Sequence, residues 1–344
     1  MDEQAAKKYV LKIKKLPRSM AEISAAIPAD EFGSARGEAI KRIGANFEMP
    51  GFRKGHVPES ILVTKVGEAT ILEEMAEIAI AYAYGAIIRE EKLDVLGRPD
   101  VRITKIAMGN PLEFTLTTAI LPKITLPDYK KLAEKEARTT AEVIVSDDDV
   151  EKAVGEIQKM RAKSERGASD TSAPLPPLDD AYVKRLGDFA DVADFKAKLH
   201  ENMRREKERS AKDKKRMAIM DAILAKSTID IPEIIVEQEL ARMREEFAHD
   251  LKRTGLATDA YYKAIQKTQE ELEKDWGPTA EKRAKTQLVV SQIAQDEKVE
   301  PDAEQLRKEV AALRAHYPDA TEERAEAYVR MLLTNEKVFQ LLES

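Results

Sequence analysis

The sequence predicts an α+β N-terminal domain joined to an all-α, arm-bearing C-terminal domain. Three observations predict it. Apolar residues alternate with a period of two near the N-terminus and again before residue 120, the spacing of half-buried strands. From about Asp180 onward they recur at steps of three and four, the spacing of amphipathic helices. Charged residues make up 35% of the 344 and aromatic ones only 5%, a balance suited to solvated helices rather than one thick core.

The elements follow in order. In "KKYVLKIKK", Tyr9, Leu11 and Ile13 share one face and Val10, Lys12 and Lys14 the other, which predicts a strand. Pro28 and Asp30 open a helix expected to end near Phe47. The loop "EMPGFRKGHVPES", Glu48 to Ser60, comes next, and Pro58 fits the first turn of a further helix, where its missing N–H costs nothing. Ile71, Met75, Ile78 and Tyr82 then predict a core-facing helical stripe. "DVRITKIA" and "LEFTLTTAIL" flank Gly109-Asn110-Pro111 and predict a hairpin, with Leu112, Phe114, Leu116 and Ile120 keeping the alternation. A sheet with helices on one face follows, over residues 1–122.

Residues 123–175 read as a connection. "LPKITLPDYKKLAEKEARTTAEVIVS" is an extended exit with a short helix after it, capped by Ser146 with Asp149 three residues on. "SERGASDTSAPLPPLDD" has the composition of a linker. The helical domain is expected over 176–344. Phe195, Leu199 and Met203 form one stripe, "RREKERSAKDKKR" is almost wholly charged, and Met217, Met220, Ile223 and Leu224 resume the apolar face. Dry ends around a wet middle describe a projecting arm. After Ile231-Pro232 a helix carries Val236, Leu240, Met243, Phe247 and Leu251, and Thr254-Gly255 should stop it. Further breaks are expected at Gly277-Pro278, Glu300-Pro301 and Tyr317-Pro318.

The chemistry is mostly one of exclusion. The absence of cysteine rules out disulfides, thiolate metal sites and cysteine nucleophiles. The four histidines are scattered, and no phosphate-binding glycine loop, dinucleotide fingerprint or serine elbow occurs. No catalytic residue, metal or cofactor is therefore expected. "MDEQAAKKYVLKIKK" alternates charge with apolar residues, and no apolar run approaches the roughly 20 residues of a membrane span. The reading is a cytoplasmic protein with no membrane partner.

The loop stands out against that background. Gly51 and Gly55 permit backbone angles barred to other residues, while Pro50 and Pro58 stiffen the ends. Arg53 offers a planar fork for phosphate or carboxylate, Lys54 a mobile charge, and Phe52 a ring for a base or an apolar pocket. The first 60 residues hold eleven Lys and Arg against eight Asp and Glu, inside a chain of net charge −6. From these residues alone, the loop is either a contact site or a surface turn with its Phe packed inward.

Gly51-Phe52-Arg53-Lys54-Gly55-His56-Val57-Pro58 resembles the G-F-R-x-G-x-x-P signature of trigger factor, a family of bacterial ribosome-associated chaperones. "LPDYKKLAEKEARTTAEVIVSDDDVEKAVGEIQK" looks like that family's exit from its ribosome-binding domain, and "PPLDDAYVKRLGDFADVADFKAKLHENM" like the start of its helical domain. The resemblance implies that Gly51, Phe52, Arg53, Lys54, Gly55, His56 and Pro58 dock on the large ribosomal subunit near the exit tunnel. There they would meet rRNA and a tunnel-rim protein. It also implies that the helical domain shields nascent or unfolded polypeptides without ATP during folding or export. Phe195, Met203, Met217, Met220, Met243, Phe247, Leu251 and Met331 are the candidate substrate contacts, each with a reading as an ordinary core position beside it.

One departure is large. The family plan places an FKBP-like prolyl isomerase domain of about a hundred residues between those two segments, and "MRAKSERGASDTSAPL" is too short to form one. No isomerase activity is therefore expected. The alternatives are a ribosome- or RNA-associated structural protein without chaperone activity, or an enzyme with residual isomerase activity. Room is left for a homodimer off the ribosome.

Overall fold

The computed structural model describes residues 9–50, 52–53, 55–138, 144–166 and 175–344. The chain forms two compact units that interleave in sequence. One takes Met1–Thr125 and Thr228–Leu288, the other Leu126–Ser227 and Val289–Ser344.

The first unit is built on a four-stranded antiparallel sheet. Strands β1 (Val10–Leu16), β2 (Met20–Ile27), β3 (Val95–Lys105) and β4 (Leu112–Ile120) lie in the order β1-β2-β4-β3. The expected first strand and hairpin are present, and Gly109 takes the left-handed φ of 69° that the turn requires. Strand β2 was not expected. Its alternation is real, with Ala21, Ile23, Ala25 and Ile27 buried, but three of its eight residues are alanine, which carries little strand signal.

Four helices pack on the sheet. The stretch after Pro28 is two helices, α1 (Ala29–Ser34) and α2 (Arg36–Asn46), hinged at Ala35. Helices α3 (Glu59–Val66) and α4 (Glu68–Glu91) follow the loop. Pro58 is the N-cap of α3 rather than its first residue. Phe32, Leu62, Ile71, Met75, Phe114 and Leu116 are buried together in the core. Each such side chain contributes roughly 1.5–3 kcal/mol of transfer free energy. The stripe on α4 departs from expectation at its last member. Ile71, Met75 and Ile78 are buried, but Tyr82 is 66% exposed. A cavity lies beside it, and its hydroxyl is 3.3 Å from a Glu38 oxygen instead of sitting inside.

The same unit contains α9 (Glu233–Arg253), α10 (Thr258–Ile265) and the first part of α11 (Gln269–Asp296). Helix α9 stops as expected. Gly255 adopts φ 77°, its N–H donates to Lys252 O, and Leu256 N–H donates to Leu251 O, a Schellman ending. The expected break at Gly277-Pro278 does not occur, because α11 runs through both residues. Pro278 leaves the Lys274 carbonyl without its usual helical donor, and both Lys274 and Pro278 are exposed residues.

The second unit is helical, with α5 (Tyr129–Ala137), α6 (Asp147–Arg166), α7 (Asp180–Leu186), α8 (Val192–Leu224), α12 (Ala303–His316) and α13 (Glu322–Glu343). The capping box is present: Asp149 N–H donates to Ser146 Oγ and Ser146 N–H to the Asp149 carboxylate, both at 3.2 Å. The helix it starts is 20 residues long, not short, because Val150 and Val154 join Tyr182, Val183 and Phe195 in a core that extends it. Residues 167–174, within the expected linker, lie outside the described residues. Helix α13 is held on α8 by Arg216, whose guanidinium reaches Glu336 and Glu343 at 2.7 Å and lies 4.9 Å from the Phe339 ring centroid. That contact pulls the Glu336 carboxyl down to about 2. The breaks at Glu300-Pro301 and Tyr317-Pro318 are where α11, α12 and α13 separate.

Candidate functional site

The loop between α2 and α3 is anchored at both ends. Helix α2 ends at Asn46, and Phe47 turns extended at φ −79°, ψ 129°. Phe47 and, ten positions on, Val57 are partly buried against the core, so both stems of the loop are tied down by apolar contact. Two tight turns shape what lies between. Phe52 N–H donates to Met49 O at 3.1 Å, and His56 N–H donates to Arg53 O at 3.0 Å. The second closes only because Gly55 sits at φ 78°, a conformation that L side chains rarely adopt. Pro58 then hands the chain to α3, its carbonyl accepting from Leu62 N–H at 3.0 Å.

At the crest Phe52 is 39% exposed. Arg53, Gly55, His56 and Pro58 are exposed too, and the Arg53 guanidinium has no ion-pair or hydrogen-bond partner among the described residues. Gly51 and Lys54 lie outside the described residues. The crest thus presents a part-exposed ring beside a planar cation that has no partner among the described residues. The ring can enter a shallow apolar depression, and the guanidinium can meet phosphate or carboxylate oxygens.

The candidate substrate contacts divide by burial. Phe195 is buried, with its ring edge-on to Phe189 at 5.0 Å, and Met203 packs partly buried on the same cluster. Met220 and Leu251 are also buried. Phe195, Met220 and Leu251 thus take the other reading given for them, as core positions, and offer a substrate little surface in this structure. Met217, by contrast, is 62% exposed, and Met243, Phe247 and Met331 are partly exposed.

Phe247 belongs to a group that the sequence reading missed. Its ring lies 5.0 Å from Tyr261, 5.3 Å from Trp276 and 6.3 Å from Tyr262. These four aromatics, including the single Trp of the chain, come from α9, α10 and α11, and α10 buries none of its residues. Their concentration within thirty residues of an aromatic-poor sequence was the available signal. Among the described residues, no group of His, Asp and Glu could hold a metal ion, and no helix is long and apolar enough to cross a membrane.

Comparison with known proteins adds a second line. A family model described as bacterial trigger factor protein matches residues 10–157, and one described as the bacterial trigger factor C-terminus matches residues 191–343. Trigger factor of Lachnoclostridium phytofermentans is 24% identical over 386 residues, covering 89% of this chain and 90% of the relative. That of Halalkalibacterium halodurans is 24% identical over 397 residues, covering 91% of each. Both alignments are longer than this 344-residue chain, so each relative carries residues that have no counterpart here. A solved structure of a trigger factor chaperone, studied for promiscuous substrate recognition in folding and assembly, is similar at TM-score 0.52 and 15% identity. The match covers 96% of this chain and 99% of that one.

Proposed function

The chain belongs to the trigger factor family of chaperones, and from that premise we propose that it docks at the ribosomal exit tunnel through the Phe52 loop and shields emerging polypeptides without ATP. The observation that supports the docking is the crest of the loop, where Phe52 and Arg53 stand exposed, Arg53 without a partner among the described residues, between the partly buried anchors Phe47 and Val57. Arg53, with Lys54 and His56 beside it, would meet rRNA phosphates or an acidic tunnel-rim protein, while Phe52 fills an apolar depression. Contacts of this kind fix position without reading sequence, and they weaken as salt rises.

The domain that docks is residues 1–122, and the helices of 176–344 hold substrate. Met203, Met217, Met243, Phe247 and Met331 are the proposed contacts, adaptable or aromatic side chains with surface to offer. Work at the tunnel places the protein in the cytoplasm. Proline isomerisation is left out of the proposal. Only residues 158–190 separate the two matched stretches, and their described parts are the end of α6 and the helix α7, not a strand-lined pocket.

Co-sedimentation with ribosomes tests the docking. Replacing Phe52, Arg53 and Lys54 together with alanine should abolish it at low salt while the thermal melt stays unchanged. Co-sedimentation equal to wild type would remove the proposal.

A further inference from the structure

The hairpin joining β1 to β2 turns on residues ill suited to the task. Arg18 and Ser19 both take left-handed backbone angles, φ 59° and 46°. Residues with a Cβ avoid that region, and hairpins that need two such angles in a row usually place Asn and Gly there. Local strain of this kind persists only where the surrounding structure holds it. Here the holding groups come from far along the chain. The Ser19 N–H donates to the Asp230 carboxylate at 2.9 Å, across 211 positions of sequence. The Arg18 guanidinium reaches Glu233 at 3.2 Å. From the sheet itself, the Ile120 N–H donates to Ser19 O at 2.8 Å, so the turn also closes the end of β4.

Asp230 and Glu233 flank the start of α9. Ile231 and Pro232 between them are buried, and Pro232 is the N-cap of the helix. Just before them Thr228 and Ile229 pair with Thr125 and Ile124, and just after them Ile234 lies over Gly97. The ladder and the Ile234 contact are ordinary pairing and packing. The turn is different, because its bond to a carboxylate, one of the stronger kinds of hydrogen bond, works against backbone strain.

We propose that the Arg18–Ser19 turn is a conformational latch: it keeps its left-handed pair only while Asp230 accepts the Ser19 N–H, and while closed it fixes the direction of α9 on the sheet. Opening relaxes the turn and frees the base of the helix together. The strain opposes the bond and keeps the latch reversible. On the reading that residues 1–122 dock and that Met243 and Phe247 of α9 hold substrate, on which this role rests, the closed latch aims those side chains in one direction from the docked domain.

The test uses the full chain. Asp230→Ala, at an exposed position, removes the acceptor. It should speed hydrogen exchange at the Ile120 amide by roughly tenfold, the scale of one relaxed left-handed residue, and leave the Phe114 and Leu116 amides as in wild type. Arg18→Asn with Ser19→Gly lets the turn hold its shape alone. On that background Asp230→Ala should leave the Ile120 amide unchanged, which the plain loss of one hydrogen bond does not predict. The chain has no cysteine, so spin labels on Thr104→Cys of β3 and His249→Cys of α9, both exposed, attach only there. The distance between them should be narrow in the labelled parent and broad once Asp230→Ala and Glu233→Ala are added. Ribosome co-sedimentation should stay at the wild-type level throughout. An Ile120 amide indifferent to Asp230→Ala, or one that quickens equally on both backgrounds, would overturn the latch. So would a distance that stays narrow without Asp230 and Glu233. Co-sedimentation lost with Asp230→Ala would overturn it too, since the turn would then be a docking surface. A wild-type chain that does not co-sediment removes the docking reading, and the exchange and distance results still decide the latch.

Discussion

At the scale of single residues, Gly55 decides whether the loop proposed to dock has one shape. Its φ of 78° closes the turn from Arg53 to His56, and a Cβ there would meet Ala45 O at 3.6 Å, an ordinary contact. Space is therefore not the constraint; the backbone is. Gly55→Ala should cost about 1–2 kcal/mol, the strain of a left-handed L residue. If the loop docks as a preformed tip, that cost falls on ribosome affinity through a reshaped crest, a loss of roughly tenfold. Binding isotherms with purified ribosomes measure it. Affinity equal to wild type, alongside a lowered melting temperature, would show that the turn is structural only. The left-handed Gly55 and the exposure of Arg53 were legible from the sequence, because each names its own physics. The fate of individual apolar residues was not. Phe195, Met220 and Leu251 look in sequence much like Met217, and only the partners packed over each one separate core from surface. Tyr82 failed for the same reason, since a helical period fixes a direction and not whether anything lies in it.

Elements were legible where they carry their own punctuation. The Ser146–Asp149 capping box, the Gly255 stop and the Gly109 turn are local chemistry, and each is present. Elements that depend on distant partners were read less well. β2 forms because β1 and β4 flank it, and α11 passes Pro278 because nothing at that exposed turn needs the missing N–H. Strand β3 shows how far such partners reach. It starts before the "DVRITKIA" run, at Val95, and its register shifts between Leu96 and Asp100. Gly97 sits inside that irregularity at φ 73°, and a Cβ on it would lie 2.3 Å from Ile234 Cδ1 on α9. Gly97→Ala therefore carries two costs, backbone strain and a steric clash with α9. Together they should destabilise by about 2–4 kcal/mol. Ile234→Val removes the clashing methyl group but not the strain, so Gly97→Ala with Ile234→Val should recover part of the loss and never all of it. Chemical denaturation of the four members of this cycle tests the argument. Strict additivity would mean that the two residues do not touch in solution.

For the whole molecule, the compact units do not follow chain order, and this bears on what can be cut away. The first unit gathers residues up to 125 with 228–288. The cluster packed on the sheet is drawn from residues 9–116, among them Ile23, Phe32, Leu62, Ile71, Met75 and Phe114, while Ile231, Leu251, Ala280 and Ala284 of the later segment are buried apart from it. What the later segment adds to the four-stranded sheet is peripheral, and Thr228 and Ile229 pair with Thr125 and Ile124 in a separate two-stranded antiparallel ladder. Arg18 pairs with Glu233 at 3.2 Å, both well exposed, the Ser19 N–H donates to Asp230 at 2.9 Å, and Ile234 covers Gly97. The exposed ion pair is worth about 0–1 kcal/mol and the hydrogen bond about 1 kcal/mol. A fragment of residues 1–125 should therefore fold on its own, with a cooperative melt lowered by roughly 4–8 °C for each kcal/mol lost. It should also co-sediment with ribosomes as the full chain does, because Phe47, Val57 and the loop they anchor are all inside it. The complementary fragment, 126–344, should neither co-sediment nor compete. A fragment 1–125 that melts without cooperativity would show that residues 228–288 supply part of the core. One that folds but fails to co-sediment would place the ribosome contacts outside the loop.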